Sequence, residues 1–349
     1  MHTGSTAAVT ENAGTFIAVS LGACKLSLKL RFRLFPPVSP NPCEPVMPLH
    51  ITAGSCHPSR RQFFVYAGVA GAVLSLNQLG GAEEQADAYQ RFALLSDTHI
   101  DADAARVSRM VNMSDHLKQA WGQVNAAASK LSGAIVHGDV AHLKGLPGDY
   151  AQVAKLLIPA GKAAMPLHFM MGNHDDRASF REVLKSAATS PLDSHHVSLI
   201  ETKHAHWFLL DSLEKVNATP GKLGEAQLQW LAAALEAKSD KPAIISVHHH
   251  PQWEGDKPSG IQDTKELFEI LVQHKQVKAV FYGHTHNWSQ KVHEGIHLVN
   301  LPPIAYVFAA DKPSGWVEAA IGPKNMELIL HGIGPANEAH GKKLELAWR

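Results

Sequence analysis

Five short stretches carry side chains able to grip a metal ion: Asp97-Thr-His99, Gly138-Asp139, Gly172-Asn173-His174-Asp175, the run His248-His249-His250, and Gly283-His284-Thr-His286. Together they offer oxygen and imidazole donors and no thiolate. Such a set suits Mn, Fe or Zn and argues against a structural zinc site. In a strand or its immediate exit, residues i and i+2 point the same way, so Asp97 and His99 can face one ion. The glycines ahead of Asp139, Asn173 and His284 fit sharp turns where backbone passes close to an ion or substrate. Gly-Asp alone is a common turn. Gly-Asn-His-Asp and Gly-His-Thr-His say more when a strand leads directly into them. In the triple histidine the strand exit favours His248, with His249 as the alternative. His116, His142, His195, His196, His204, His206 and His331 read as surface or core residues.

Each stretch follows an apolar run: 92–95 leads into Asp97, 133–136 into Asp139, 165–171 into Asn173, 243–247 into His248 and 277–282 into His284. Runs of this kind suit strands buried on both faces, and open α/β sheets place their sites at the carboxyl ends of such strands. Between them the periodicity predicts helices over 113–131, 150–160, 179–187, 225–237 and 263–275. Ser114 is the expected cap of the first, with Leu117, Ala120, Trp121 and Val124 inward. The helix over 225–237 is expected to bury Leu228, Trp230, Leu231, Ala234 and Leu235. Residues 196–200 and 205–210 read as a hairpin. Beyond His286, strands over 289–292 and 296–300 and further pieces to Leu346 are expected to complete a second sheet as antiparallel structure. The alternation places the chain in the α/β class.

A chain of 349 residues can bury a sizeable core, and its 32 basic and 32 acidic side chains balance. A neutral chain offers no general electrostatic footprint for nucleic acid, which leaves a nuclease without support. Cys24, Cys43 and Cys56 all precede the ligand-bearing region, so disulfides and thiolate sites are excluded there. Ser59-Arg-Arg-Gln-Phe-Phe64 ahead of a mildly apolar run over 65–79 resembles a twin-arginine export signal, spanning about 59–82. The run is too short and too broken by glycine for a permanent membrane span. Ala82 or Ala86-Asp-Ala88 could precede cleavage. Residues 1–46 show no pattern and read as an over-extended or disordered leader, Met47 being a more ordinary start. The expected organisation is a leader over 1–88 and one domain over 89–349. Localisation is expected to be periplasmic or otherwise extracytoplasmic, with the twin-arginine machinery as a partner, and cytoplasmic if the basic pair merely precedes a helix.

The ordered set Ser96-Asp-Thr-His99, Gly138-Asp-Val followed by Tyr150, Gly172-Asn-His-Asp, Gly224 through Gln227-Leu-Gln-Trp230-Leu, and His-His-His-Pro resembles the calcineurin-like metallophosphoesterase superfamily over about 91–300. Within it the chain is most similar to bacterial class III cyclic-nucleotide phosphodiesterases. The resemblance implies a four-layer α/β/β/α sandwich of two mixed sheets flanked by helices. It also implies two divalent ions, one held by Asp97, His99 and His286, the other by Asn173, His248 and His284, with Asp139 bridging. His174 would sit beside the phosphate, not on a metal. Two ions about 3.5–4 Å apart can share a water, lower its pKa and stabilise both oxygens of an in-line attack. The reaction implied is hydrolysis of a small phosphodiester, with a phosphomonoester as the alternative. A scaffold that had lost its metals would show replaced ligands, and all seven positions here are ligand-competent. Where the cyclic-nucleotide relatives carry small hydroxyl residues, this chain has Asn300-Leu-Pro-Pro-Ile304, so nucleotide recognition does not carry over with the rest.

Overall fold

The computed structural model describes residues 89–349, apart from 160–162, 188, 256 and 257, together with four short strands between 10 and 28. Those four pair as hairpins, Thr10–Glu11 with Gly14–Thr15 and Ile17–Leu21 with Cys24–Leu28. The twin-arginine segment lies outside the described residues. The chain divides into two compact units, Met1–Gly68 and Val69–Arg349. All elements below belong to the second.

In order they are β1 (Gln90–Leu95), α1 (Met113–Ala126), β2 (Gly133–His137), α2 (Pro147–Leu157), β3 (Leu167–Met170), α3 (Arg177–Val183), β4 (Ser198–Glu201), β5 (His206–Leu209), α4 (Glu225–Ala237), β6 (Ala243–Ser246), α5 (Thr264–Gln273), β7 (Val277–Tyr282), β8 (Ser289–His293), β9 (Ile296–Asn300), β10 (Ser314–Ile321), β11 (Asn325–Ile333) and β12 (Lys343–Ala347). One sheet has the order β12-β11-β10-β1-β2-β3, the other β4-β5-β6-β7-β9-β8. In both, a parallel centre carries antiparallel strands at its flanks: β1-β2-β3 run parallel while β10 to β12 do not, and β5-β6-β7-β9 run parallel between β4 and β8.

Strand alternation sorts the side chains into three cores. Phe92 and Leu94 of β1 face Trp207, Leu209, Phe281 and Leu328 between the sheets. Ala93 and Leu95 face the opposite way, against Leu117, Trp121 and Val153 of α1 and α2. On the far sheet Phe208 and Ile245 point outward onto Leu231 and Leu235 of α4 and Leu267 and Leu271 of α5. Helix, sheet, sheet, helix is the four-layer sandwich expected. Trp207 is fully buried, with its ring centroid 5.5 Å from Phe281 and 5.9 Å from Phe92. Truncating it to alanine would remove about 3–5 kcal/mol.

Several expectations need correction. α3 is Arg177–Val183 with a 3-10 turn after it, and Leu228, Trp230 and Ala234 of α4 are only partly buried. α1 stops at Ala126, and a 3-10 turn over Ala128–Lys130 follows. Its cap is Asn112, not Ser114, because the Asn112 side chain accepts the Asp115 N–H at 3.0 Å while Ser114 already lies in the first turn. α2 begins at Pro147, ahead of the apolar stripe, since proline needs no amide partner at a helix start. The late strands divide: β8 and β9 complete the second sheet, but β9 joins β7 in parallel and only β8 is antiparallel, while β10 to β12 extend the first sheet from β1. Among the described residues no helix is long and apolar enough to cross a membrane.

Candidate metal centre

All five ligand-bearing stretches leave the carboxyl ends of parallel strands, β1, β2 and β3 in one sheet and β6 and β7 in the other. The exits of β1 and β2 are zipped together: Asp97 N donates to Gly138 O at 3.2 Å and His99 N to Asp139 O at 2.9 Å. Asp97, His99, Asp139, His284 and His286 all take φ between +46° and +66°. That left-handed region costs a non-glycine residue on the order of 1 kcal/mol or more, and such strain concentrates at functional sites. The three glycines permit close approach. A Cβ on Gly138 would lie 2.7 Å from His248 Nδ1, one on Gly172 would overlap Asp139 N and Oδ1, and one on Gly283 would overlap Ser96 Oγ.

Three overlapping groups of donors form among the described residues: His99, Asp139 and His174 make one, and Asp139 lies between the other two. Asp97, His99 and His286 make the first of those two: His286 Nε2 is 3.4 Å from Asp97 Oδ1 and 3.0 Å from His99 Nε2. Asp139, His248 and His284 make the second, with His248 Nε2 3.3 Å from Asp139 Oδ2. The same Asp139 oxygen is 3.7 Å from His99 Nε2 in the first group. Asn173, 3% exposed, has a buried side-chain oxygen with no hydrogen-bond partner.

Two of the rings, those of His248 and His286, are held by their other nitrogen. His248 Nδ1 donates to His137 O at 2.9 Å and His286 Nδ1 to Tyr306 O at 2.5 Å. In the neutral rings this leaves Nε2 as a lone pair pointing at carboxylate oxygens. Acceptor facing acceptor in a buried site is repulsive unless a cation lies among them, and a metal-bound histidine anchored through its far N–H is the usual arrangement. The donor set therefore fits divalent metal. Charge effects agree. Burial alone would lower the His248 pKa, but attraction and hydrogen bonding to Asp139, then Asp97, push it up to about 10, so without metal a proton occupies that place. Burial would raise the Asp97 carboxyl, yet His286 and His248 hold it well below its ordinary value. Burial, aided by the His248 charge, takes His284 down to about 3 and leaves its ring unprotonated for ligation.

His174 lies at the rim, within reach of His99 and Asp139. Its Nδ1 donates to Leu143 O at 3.0 Å, its side chain is 22% exposed, and its Nε2 is 4.0 Å from Asp139 Oδ2. Its backbone N–H donates to Asp139 Oδ1 at 2.8 Å, which ties the two loops. His249 turns elsewhere: Nδ1 lies 2.7 Å from Ser212 Oγ, while its ring packs 4.6 Å from that of His284. The ring of His250 lies parallel to that of His284 at 5.9 Å. His196, His206 and His331 serve the core or surface as expected, with His331 stacked on Trp316 at 4.2 Å. His142 is nearer the site, edge-on to His99 at 6.4 Å.

Sequence reasoning missed the residues that fasten the ligands. Asp175 accepts from Gly172 N, Ala141 N, Val140 N and Tyr150 Oη at 2.8–3.1 Å, clamping the β2 and β3 exits together. Burial, with the nearby Asp139 charge, raises its pKa to about 6. Arg177 meets Asp211 in a bidentate pair at 2.6 and 2.9 Å, joining the β3 exit to the β5 exit across the two sheets. Tyr306 lays its ring on His99 at 5.2 Å while its carbonyl holds His286. Asp175 and Asp211 each follow a strand, a usable signal; nothing local marks Tyr306.

Comparison with known proteins agrees with this geometry. The family model described as calcineurin-like phosphoesterase matches residues 90–288. The chain is similar to the 3',5'-cyclic adenosine monophosphate phosphodiesterase CpdA of Pseudomonas aeruginosa, 27% identical over 252 residues that make up 71% of this chain and 88% of that protein. It is also similar to the glycerophosphodiester phosphodiesterase GpdQ of Enterobacter lignolyticus, 25% identical over 217 residues, 60% of this chain and 76% of the relative. Among solved structures, a dimetal phosphatase from Danio rerio matches with a TM-score of 0.55 at 14% identity, over 74% of this chain and 99% of the other. That last likeness is one of fold alone.

Proposed function

The chain belongs to the calcineurin-like phosphoesterase family, and from that premise we propose that it hydrolyses a small phosphodiester at a centre for two divalent ions. The observation that carries the reading is Asp139 Oδ2, placed 3.3 Å from His248 and 3.7 Å from His99, between two donor groups. Asp97, His99 and His286 would hold one ion, and Asn173, His248 and His284 the other, with Asp139 serving both. Oxygen and imidazole donors favour Mn, Fe or Zn. When bound, such a pair supplies positive charge for phosphoryl oxygens and a water of lowered pKa.

The rest falls to the chain's own residues. Fixed by Leu143 O and by the Asp139–backbone tie, the His174 ring presents Nε2 above Asp139 Oδ2. As an imidazolium it donates that N–H to a phosphoryl oxygen, or the proton to the departing alkoxide. Preference for a diester is supported by the likeness to cyclic-nucleotide and glycerophosphodiester phosphodiesterases. Asn300, at the position where this chain departs from cyclic-nucleotide enzymes, donates its amide to Thr285 Oγ1 within the β7 exit.

Export supports a scavenged or envelope phosphoester as substrate, away from the intracellular cyclic-nucleotide pool; its basis is the paired Arg60-Arg61 ahead of the apolar run. The decisive assay compares Mn-loaded protein on bis(4-nitrophenyl) phosphate and 4-nitrophenyl phosphate. Higher kcat/KM on the diester is expected, and the reverse order would assign a monoesterase. Export is tested by replacing Arg60 and Arg61 with lysine, which should retain the protein in the cytoplasm.

A further inference from the structure

We propose that Arg109, Tyr306 and Phe308 form a subsite for the part of the substrate beyond the scissile phosphate, and that it takes phosphodiesters whose second ester group carries a further negative charge. The proposal rests on the phosphodiester reading above.

The three residues are stacked on the first donor group. Phe308 lies flat on His286, centroids 4.3 Å apart and planes 21° apart, and Tyr306 lies flat on His99 at 5.2 Å and 19°. Above both rings sits the Arg109 guanidinium, its central carbon 4.8 Å from the Phe308 centroid and 5.7 Å from that of Tyr306. A guanidinium resting by its face on an aromatic ring keeps its N–H edge free to grip an anion. No carboxylate among the described residues pairs with it. The nearest acidic residues in its own loop are engaged locally: Asp101 accepts Asp103 N–H and Asp103 accepts Ala105 N–H, each at 2.9 Å. Phe308 remains 55% exposed, so the stack is open to a ligand.

The backbone that presents Arg109 is itself unusual. Residues 107–108 and 111–112 pair as a minimal hairpin whose two tip residues, Arg109 and Met110, have φ of +47° and +66°. Asn-Gly would form such a tip with less strain, and strained side-chain-bearing positions collect at ligand clamps. Here the strain holds a cation one ring layer above the ligand histidines. A phosphodiester seated on the donor groups would run one short ester arm over Phe308, and a terminal carboxylate or phosphate on that arm would meet the guanidinium. A cyclic mononucleotide, with its single anionic group, would leave Arg109 unmatched.

The test uses the full-length, metal-loaded protein and three 4-nitrophenyl phosphodiesters sharing one leaving group, with 3-hydroxypropanoate, propanol or choline as the second alcohol. Wild type should rank them anionic, neutral, cationic in kcat/KM, mainly through KM. Arg109→Gln should lower the anionic-to-neutral ratio on the order of tenfold, as expected for loss of a charge-assisted contact. Arg109→Lys should fall between, keeping charge without the planar face. No ranking in wild type, or a parallel loss on all three esters in Arg109→Gln, overturns the subsite. Fluorescence titration with 2-carboxyethylphosphonate against propylphosphonate reads it without turnover. If no diester is cleaved, the diester reading fails, while tighter binding of the carboxylated phosphonate, abolished by Arg109→Gln, still supports the subsite and equal binding refutes it.

Discussion

Arg177→Met should destabilise the protein by about 3 kcal/mol, and the reasoning is specific enough to be refuted. Asp211 is fully buried and receives both Arg177 Nε at 2.6 Å and Nη2 at 2.9 Å. Methionine keeps most of the side-chain volume but removes the guanidinium, and breaking one side of a buried ion pair typically costs about 3–5 kcal/mol. Two features place the loss at the lower end. Asp211 retains backbone donors at His196 N, 2.7 Å, and Leu213 N, 3.0 Å, and Arg177 itself is 22% exposed, so water partly screens the pair. For a domain of this size the melting temperature should fall by roughly 6–12 °C. Urea unfolding of metal-free protein at neutral pH measures the difference. Arg177→Met with Asp211→Asn should recover part of it, with a coupling on the order of 2 kcal/mol. Turnover should also fall, because the pair ties the loop bearing Asn173 and His174 to the second sheet, with Asn217 N–Asn173 O at 2.6 Å as the other tie. A loss below about 1 kcal/mol, or strictly additive single effects, would show that the pair does not hold the sheets in register.

Asp139→Asn should leave a folded protein that loses up to two equivalents of metal and most activity; full activity would remove the shared-ligand assignment. His174→Ala should retain its metals while kcat drops on the order of 10²–10⁴-fold, and metal loss in that variant would make His174 a ligand. His248→Ala should empty the second position in metal analysis whereas His249→Ala should be mild, since His249 Nδ1 faces Ser212 instead of the donor groups; the opposite outcome would exchange their roles. Hydrogen bonding to His331 and the charge of Arg91 lower the Glu318 pKa despite its burial. Its stabilisation, about 1 kcal/mol, should thus be complete above the unfolded value of about 4.3 and vanish as pH falls through the folded value. Glu318→Gln should abolish that part of the acid dependence in unfolding titrations; an unchanged profile would refute the pairing.

The donor types were legible because they are chemical facts of the chain: seven oxygen- or nitrogen-bearing residues, each just past an apolar run, with glycine where another loop must pass. Strand position followed too, since burial on both faces demands a continuous apolar run, and β7 and β9 fall where the pattern places them. Boundaries were less legible where local chemistry competed with periodicity, as at Pro147 and Asn112.

What only the tertiary structure decided concerns pairing between distant segments. Nothing local tells β10 to join β1 instead of β9: its alternation suits either sheet, and the choice depends on which edge remains open once the central strands have paired. His248 over His249 was an expectation from the strand exit. Direction entered only with the fold, which brings His137 O to one ring and Ser212 to the other. Tyr306 and Arg109 gain their roles from neighbours 20 to 207 residues away, which no spacing rule can encode. Covalent sequence determines which atoms are available as donors. Their mutual distances, and hence whether repelling lone pairs converge on one place, arise only when two sheets pack and their loops close together.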